Sequence, residues 1–310
     1  MTADVLPRLT AEVTAAAHPG ATPCRCGAAT TTLAHRADAT VLRHAATVAK
    51  AHAPGTDPTA LAVRLDMATG LPDVFLPPLA PAPAAFVGDR PVTLWPYGAP
   101  VDPEAPRAAP WEAAATLLAL LHRTLPTSAD APPMRGPAKA AQAMARLREV
   151  LAGAGAHPAA PPLLRAWSAL PAWARAKAPP ESGRPRTLCH GDLHLGQLVR
   201  HPAPDGPWRL IDVDDLGMGD PAWDLARPAS WYACGLLPPD EWTRFLGAYR
   251  AAGGPAVPED GDPWPALDVP ARALTVQTGA RYLAKAIAAD RPLDEVERSL
   301  IDACARMAPE

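Results

Sequence analysis

The chain has 310 residues, enough to bury a sizeable core in one large domain or in two smaller ones. Hydrophobic residues make up 48% of it, which excludes a disordered chain, and the formal net charge of −3 argues against a nucleic-acid binder. Asp4 lies near the start, and no apolar run of about 18 residues follows. We therefore expect a cytoplasmic protein with no signal peptide and no membrane partner, whose oligomeric state the sequence leaves open.

The N-terminal part predicts a small region rich in β-strands. Ala45 and Ala46 separate two runs of β character, so we expect a hairpin there, although this pair lacks the Asn-Gly chemistry preferred in such turns. Asp57 followed by Pro58 is typical of the N-cap and first position of a helix. The expected elements are a helix over 5–17, strands over 40–44, 47–52, 84–87 and 92–97, and a helix that begins after 57.

From Pro100 the pattern changes to long helical periods, which predict a larger and mainly helical region. A strand-rich segment over 187–213 interrupts these periods once. The joint between the two regions is expected near residues 95–100. The helices are expected over 111–123, 137–152, 162–177, 239–252, 266–289 and 291–307.

The five cysteines, at positions 24, 26, 189, 234 and 304, are odd in number. Cys24 and Cys26 are separated by one residue, too close for an ordinary disulfide and without the two intervening residues usual in zinc sites. No second pair in the sequence completes such a site. The pattern therefore predicts free thiols in a reducing compartment.

The segment that carries the most chemistry reads LCHGDLHLGQLV over 188–199 and continues as WRLIDVDD over 208–215. Each half joins an apolar strand to polar residues at its edge. If the two strands bring Asp192, Gln197 and Asp212 together, they form a site rich in carboxylates. Oxygen ligands of this kind suit Mg²⁺.

These motifs resemble the catalytic loop and metal-binding strand of the aminoglycoside phosphotransferase and choline kinase superfamily, relatives of protein kinases that phosphorylate small molecules. The pattern H-G-D-x-x-x-x-N of that superfamily is followed by a strand ending in I-D and by a segment similar to Gly219–Ala226. The loop over 190–197, with Gln in place of Asn, is similar to that of maltokinase-type members. Leu121 and His122, at the end of an upstream helix, also resemble the family.

The resemblance covers roughly residues 40–235 and implies an α+β, two-lobed, protein-kinase-like fold. It further implies a nucleotide-binding lobe over 1–97 and a catalytic and acceptor-binding lobe over 98–310. The reaction implied is Mg²⁺-dependent transfer of the γ-phosphate of ATP to a hydroxyl group of a small molecule. The acceptor is expected to be an aminoglycoside or related antibiotic, a sugar or an amino alcohol, and the first of these would connect the protein to antibiotic resistance.

The resemblance also assigns roles to individual residues. Asp192 corresponds to the base that orients the attacking hydroxyl, Asp212 to the residue that bridges Mg²⁺ to the phosphates, and Gln197 to the second metal ligand. Because phosphoryl transfer passes through a loose transition state, these roles are positioning and neutralisation of charge. Residues expected to support them are His190 and His194 in the loop, Asp214 beside the metal or in a solvated loop, and Asp224 bonded to the loop backbone.

The nucleotide-binding lobe carries weaker motifs. Lys50 lies in an apolar run that resembles the strand whose lysine contacts ATP phosphates, in a chain with lysines only at 50, 139, 177 and 285. Its acidic partner is open, with Asp57 and Asp66 as candidates and Asp57 better interpreted as a helix cap. Glycine is scarce before Lys50, so the phosphate-covering hairpin must rely on residues 28–32 or be short. The strand expected to bind adenine contributes Leu94, Trp95 and Tyr97, with Pro96 removing one donor.

Two other functions stay open beside an active kinase. The missing glycines and Gln197 are compatible with a catalytically weak nucleotide-binding homologue. His190, Asp192 and His194 are candidates for the metal site of a hydrolase unrelated to kinases. Several aromatic residues of the helical region are interpreted either as an acceptor pocket or as core: Trp223, Trp231, Tyr232, Trp242 and Trp264.

Overall fold

The structure is a computed structural model that describes residues 5–20, 24–125, 131–180 and 183–307. The chain divides into two compact units, each assembled from separate stretches of sequence. The N-terminal unit comprises Met1–Pro110, Pro126–Pro132 and Leu195–Asp214. The helical unit comprises Trp111–Leu125, Pro133–His194 and Asp215–Glu310.

The N-terminal unit is built on an antiparallel sheet in the order β1-β2-β3-β5-β4. The predicted β2–β3 hairpin is confirmed: Ala45, at its turn, adopts a φ of 51°, the left-handed conformation that tight hairpin turns require. The preceding hairpin, between β1 and β2, closes through residues 36–39. Of the two possibilities given for the hairpin before Lys50, a hairpin that relies on residues 28–32 or a short one, this is the short one. The strands are β1 (Thr31–His35), β2 (Thr40–His44), β3 (Thr47–Ala51), β4 (Ala85–Val87) and β5 (Arg90–Pro96).

Two helices pack in this unit. The predicted helix α1 (Val5–Ala17) covers one face of the sheet, because its buried side chains lie at a spacing of four residues along one stripe. Helix α2 (Pro58–Thr69) begins as predicted, since the carboxylate of Asp57 accepts the backbone N–H groups of Thr59 and Ala60 at 2.9 and 3.3 Å. The core between α1 and the sheet contains Val5, Leu9, Val13, Leu42, Ala49, Ala51, Val87 and Val92.

A second sheet of this unit contains strands from distant parts of the sequence. It has the order β6-β8-β9, and Leu210 of β9 also bonds to the backbone of residues 74 and 76. These strands are β6 (Ala99–Pro100), β8 (Leu198–Arg200) and β9 (Trp208–Leu210). This pairing explains why residues 195–214 belong to the N-terminal unit. The sequence instead predicted two contiguous lobes, 1–97 and 98–310. That division stays a prediction about which residues bind nucleotide and which bind the acceptor.

The helical unit packs helices α4 and α6 against the long helix α8, and α9 against α5 and α8. A short two-stranded ladder, β7 (Thr187–Cys189) with β10 (Gly217–Gly219), carries the loop with the H-G-D motif. No helix within the described ranges is long and apolar enough to cross a membrane. The helices are α3 (Trp111–Arg123), α4 (Gly136–Ala154), α5 (Ala160–Ala169), α6 (Ala222–Ala233), α7 (Pro239–Ala251), α8 (Trp264–Ala288) and α9 (Glu295–Met307).

Two predictions for this unit were wrong. The helix expected over 162–177 ends at Ala169, because Leu170 is extended, the conformation favoured before the proline that follows it. Helix α6 was not expected, and it contains Pro228, a residue that normally ends a helical pattern. The mixture of an N-terminal sheet and a helical C-terminal region otherwise agrees with the predicted α+β fold.

Candidate active site

The H-G-D loop of the helical unit depends on Gly191. This residue has a φ of 86°, and a Cβ atom placed on it would lie 2.5 Å from the carbonyl oxygen of Asp215. Only glycine fits such a close approach in the left-handed region. The backbone therefore turns between His190, which is buried, and Asp192, which is partly exposed.

Asp224 holds this loop from helix α6. Its buried carboxylate accepts the backbone N–H groups of His190 and Gly191 at 2.6 and 2.7 Å, and Nε2 of His122 at 2.9 Å. Tyr249 donates its hydroxyl to Nδ1 of His122 at 2.7 Å. Burial alone would raise the pKa of Asp224, but these hydrogen bonds hold it below its usual value. Asp224 thus bonds to the backbone of the loop, as the sequence predicted.

Asp192 is bound by two cations. Its Oδ1 accepts from Nη2 of Arg227 at 2.6 Å, and its Oδ2 accepts from Nζ of Lys139 at 2.6 Å. Lys139 also donates to Oδ2 of Asp215 at 2.6 Å. Although burial would raise the pKa of Asp192, Lys139 and Arg227 hold it well below the usual range. The carboxylate is therefore ionised at neutral pH.

Lys139 and Arg227 were missed in the sequence. Lys139 lies on α4 and Arg227 on α6, so neither belongs to the motif that contains Asp192. The scarcity of lysine drew attention to Lys50 and applies equally to Lys139. Arginine carries no such signal, because it supplies most of the basic residues of the chain.

A second charged cluster lies in the N-terminal unit around Lys50. Its Nζ lies 2.7 Å from Oδ1 of Asp212 and 2.9 Å from Oδ2 of Asp214, whose Oδ1 lies 2.7 Å from Nδ1 of His52. Burial alone would lower the pKa of Lys50, but the two carboxylates raise it above its usual value. Lys50 therefore pairs with Asp212 and Asp214.

The two residues proposed from the sequence as acidic partners of Lys50 both lie in or beside helix α2. Asp57 caps helix α2, and Asp66 is exposed on that helix. The acidic partners that Lys50 has among the described residues, Asp212 and Asp214, do not come from this region. The actual partners follow strand β9, about 160 residues further along the chain.

Of the three residues expected to come together, Asp212 and Gln197 lie in contact in the N-terminal unit, and Asp192 belongs to the helical unit. Nε2 of Gln197 donates to Oδ2 of Asp212 at 3.2 Å, and the backbone N–H of Ile211 bonds to the carbonyl of Gln197 at 2.9 Å. Asp212 has a φ of 69°, a strained conformation for a residue with a side chain and one found most often at functional positions. The carboxylates of Asp212 and Asp214 thus meet at Lys50, and the amide of Gln197 bonds to Asp212. Carboxylate and amide oxygens are hard donors of the kind that fit Mg²⁺.

The residues expected to bind adenine have backbone partners within the sheet. The carbonyl of Leu94 accepts from the N–H of Leu79, and the N–H of Tyr97 donates to the carbonyl of Ala46, both at 2.8 Å. The indole N–H of Trp95 donates to the hydroxyl of Thr93 at 2.9 Å. Adenine recognition by these three residues therefore stays a prediction.

The aromatic residues of the helical unit pack on one another. Tyr232 stacks on Trp242 with 5.5 Å between ring centroids, and Trp264 stacks on both rings. Trp223 is buried and meets Trp173 edge to face. Trp223 is thus part of the core, whereas Tyr232 and Trp264 are half-buried, and for them the acceptor pocket stays a prediction.

The model of the APH phosphotransferase enzyme family matches residues 41–268. The chain belongs to this phosphotransferase family. The match spans well over half of the chain and includes both charged clusters, so the resemblance carried by the H-G-D, I-D and G-D-P motifs is confirmed. No protein with curated functional information matches the chain significantly.

Solved structures of similar fold agree with membership of the phosphotransferase family. A choline/ethanolamine kinase family protein from Mesorhizobium loti is 18% identical, with 99% of this chain and 94% of that chain covered and a TM-score of 0.54. Choline kinase from Cryptosporidium parvum is 10% identical, with coverages of 97% and 95% and a TM-score of 0.60. A thermostable mutant of an aminoglycoside phosphotransferase, in ternary complex with AMP-PNP and hygromycin B, is 13% identical, with coverages of 90% and 94% and a TM-score of 0.60.

The hydrolase hypothesis receives no support in this phosphotransferase. Among the described residues, His190, Asp192 and His194 do not form a compact group of metal ligands. Two other groups do, and they consist of His122, Cys189 and Asp224, and of His18, Cys24, Cys26 and His44. The first belongs to the hydrogen-bond network that holds the H-G-D loop.

Proposed function

We propose that this phosphotransferase uses ATP and Mg²⁺ and transfers the γ-phosphoryl group to a hydroxyl of a small molecule. The observation that carries the proposal is the state of Asp192. Its loop is fixed by Asp224, and its carboxylate is kept ionised by Lys139 and Arg227. An ionised carboxylate on a rigid loop is the group that phosphoryl transfer needs to orient a hydroxyl and take its proton.

We propose that the cluster around Lys50 binds the phosphates of the nucleotide and their Mg²⁺ ion. Asp212 and Gln197, with Asp214 beside them, would hold Mg²⁺, which when bound neutralises charge on the phosphates. Lys50 would then exchange its contact with Asp212 for the phosphates, as a compact point charge. The aminoglycoside phosphotransferase of similar fold was solved with AMP-PNP, an adenine nucleotide, which supports this part of the proposal.

The transfer itself requires one proton acceptor in this chain. The oxygen of the acceptor hydroxyl forms a bond to the γ-phosphorus, and the bond from that phosphorus to the β-phosphate oxygen breaks, so that ADP leaves. The hydroxyl proton passes to a carboxylate oxygen of Asp192. Each carboxylate oxygen accepts from one of the two cations and keeps a second lone pair that can accept the hydroxyl proton.

The surroundings of Asp192 favour a neutral or anionic acceptor. The cleft beside this carboxylate is lined by Lys139 and Arg227, together with Gln277 and Trp223. The carboxylates of Asp192 and Asp215 already pair with Lys139 and Arg227, so the ammonium group of a cationic amino alcohol or aminoglycoside would have to compete with these two cations for them. A sugar or other neutral polyol carries no such penalty, and amide and indole groups are suited to its hydroxyls.

The test is an ADP-release assay on the purified full-length protein with a panel of acceptors. Sugars, aminoglycosides and amino alcohols are each offered with ATP or GTP, in Mg²⁺ or with a chelator. We expect ADP release that requires Mg²⁺ and rises with a neutral polyhydroxy acceptor. Nucleotide binding without any acceptor-dependent turnover would instead identify a catalytically weak homologue, and preference for a cationic acceptor would overturn the argument from charge.

A further inference from the structure

The N-terminal unit contains a compact group of thiols and imidazoles that phosphoryl transfer does not use. Sγ of Cys24 lies 3.1 Å from Sγ of Cys26, and each sulfur lies 3.4 Å from Nε2 of His44. The ring of His18 meets that of His44 edge to face, with 5.3 Å between centroids. One nitrogen or sulfur from each of the four side chains lies within 4.8 Å of all the others.

We propose that His18, Cys24, Cys26 and His44 bind a structural Zn²⁺ ion. Tetrahedral zinc, with bonds of about 2.3 Å to sulfur and about 2.0–2.1 Å to nitrogen, holds its ligand atoms about 3.3–3.8 Å apart. The sulfur-to-nitrogen distances of 3.4 Å already lie in this range. The two sulfurs, now 3.1 Å apart, need to separate by about 0.7 Å to reach the sulfur-to-sulfur distance of about 3.8 Å.

Neighbouring groups orient these ligands in the way metal sites require. The hydroxyl of Thr30 lies 3.0 Å from Nδ1 of His44, which fixes the ring with Nε2 towards the sulfurs. The backbone N–H of Cys26 bonds to Sγ of Cys24, and that of Ala28 bonds to Sγ of Cys26, each at 3.4 Å. N–H donors of this kind stabilise thiolates, the form in which cysteine binds metal.

An independent observation concerns His18. Its Nε2 is buried, and within the described part of the chain it has no hydrogen-bond partner. A buried imidazole nitrogen without a partner costs free energy, and such atoms are rare in folded proteins. A bond to a metal ion would satisfy this nitrogen and convert the cost into a stabilising contact.

The sequence argument against zinc assumed that ligands come in closely spaced pairs, whereas the four residues proposed here come from separate parts of the N-terminal unit. His18 directly follows α1, His44 ends β2, and the two cysteines lie between them. A site of this composition favours Zn²⁺ over Mg²⁺, because sulfur is a soft ligand. It would join α1 to the sheet whose next strand carries Lys50, and it would release two thiol protons on binding.

Metal content tests the proposal without nucleotide or acceptor. The full-length protein is purified under reducing conditions, and zinc is measured by mass spectrometry of the elements. We expect about one zinc ion per chain, and a loss of about ten-fold or more in Cys24→Ser and in Cys26→Ser. Cys234→Ser, which removes a thiol of the helical unit, is the matched control and should keep the full content.

Two further measurements keep the test decisive if a variant folds poorly. Cobalt taken up by the native protein should show the visible absorption of a tetrahedral thiolate site. Removal of the metal by a chelator should lower Tm, and Zn²⁺ but not Mg²⁺ should restore it. The proposal would be overturned by a native protein that stays free of zinc after reconstitution, or by equal zinc content in the native protein and the two serine variants.

Discussion

The two charged clusters have opposite arrangements of charge. In the N-terminal unit, the ammonium of Lys50 lies between the carboxylates of Asp212 and Asp214. In the helical unit, the carboxylate of Asp192 lies between Lys139 and Arg227. In both clusters, burial alone would shift the pKa of the central group towards its neutral form. The charged partners shift the pKa in the opposite direction, so that the charged form is favoured.

This difference in charge indicates different roles for the two clusters in phosphoryl transfer. Around Lys50 the carboxylates outnumber the lysine, so this cluster is suited to gain a further cation, as a metal-bound nucleotide provides. Around Asp192, the carboxylates of Asp192 and Asp215 face three cations, Lys139, Arg227 and Arg135, the last 3.6 Å from Asp215. This cluster therefore keeps its base ionised and is suited to neutral or anionic groups. The four predictions below test this comparison, beginning with the largest expected effect.

Asp192→Asn should lower turnover by about 10³-fold or more while leaving nucleotide binding intact. Asparagine preserves the shape of the side chain but cannot take the proton of the acceptor. Steady-state kinetics and calorimetry with ATP separate the two effects. Asp205→Asn, at an exposed position, is the control, and near-native turnover of the Asp192 variant would show that this residue is not the base.

Asp212→Ala should lower the Mg²⁺-dependent affinity for ATP by about 100-fold, because it removes a ligand shared by the metal and Lys50. Calorimetry in Mg²⁺ and in chelator measures this loss. Asp73→Ala removes a carboxylate that is almost fully exposed and should change nothing. Unchanged Mg-ATP affinity in the Asp212 variant would contradict the proposed role.

Lys50→Ala should lower kcat/KM for ATP by about 10²-fold, because its contact with the phosphates strengthens as charge develops during transfer. Lys50→Arg keeps the charge on a bulkier group and should recover part of the activity. Lys177→Ala, at an exposed position, is the control. If kcat and KM for ATP are both unchanged in Lys50→Ala, the N-terminal unit does not bind nucleotide as proposed, and Arg43 becomes the next residue to test.

These clusters also show what a sequence can predict. The hairpin at Ala45 and the cap at Asp57 were predictable, because short spacing along the sequence records them. The roles of Asp224, Gln197 and Asp212 came instead from the resemblance to the phosphotransferase family, since these residues lie 15 to 34 positions from their partners.

The partners that set the charge of each cluster were not predictable. Lys139 and Arg227 lie on separate helices, and their approach to Asp192 depends on how α4 and α6 pack. His18 and His44 approach the two cysteines only because α1 lies on the sheet. Local patterns of hydrophobicity or spacing do not predict contacts between residues so far apart in the sequence. Helix α6 was itself missed, because a proline inside a helical pattern normally indicates its end.

The smallest effect is expected for Lys139→Gln, and it concerns pH. Because Lys139 helps to hold the pKa of Asp192 low, its loss should raise that pKa towards its usual value. The base is active when ionised, so activity disappears as pH falls through this pKa, and the acidic limb of the profile should move to higher pH. At pH 8 Asp192 stays ionised in both proteins, and turnover there should change by no more than about three-fold.

The same profile distinguishes a charge effect from a structural one. A loss of packing at Lys139 would lower turnover equally at every pH. A change in the pKa of Asp192 would instead move the acidic limb of the pH profile and leave turnover at higher pH unchanged. Lys177→Gln makes the same substitution at an exposed position and should leave the limb in place. Because Arg227 still binds the other oxygen of Asp192, the limb should move further when Arg227→Gln is added to Lys139→Gln. A limb that stays fixed in both variants would show that the cations around Asp192 do not set its ionisation, and the contrast between the two clusters would fail.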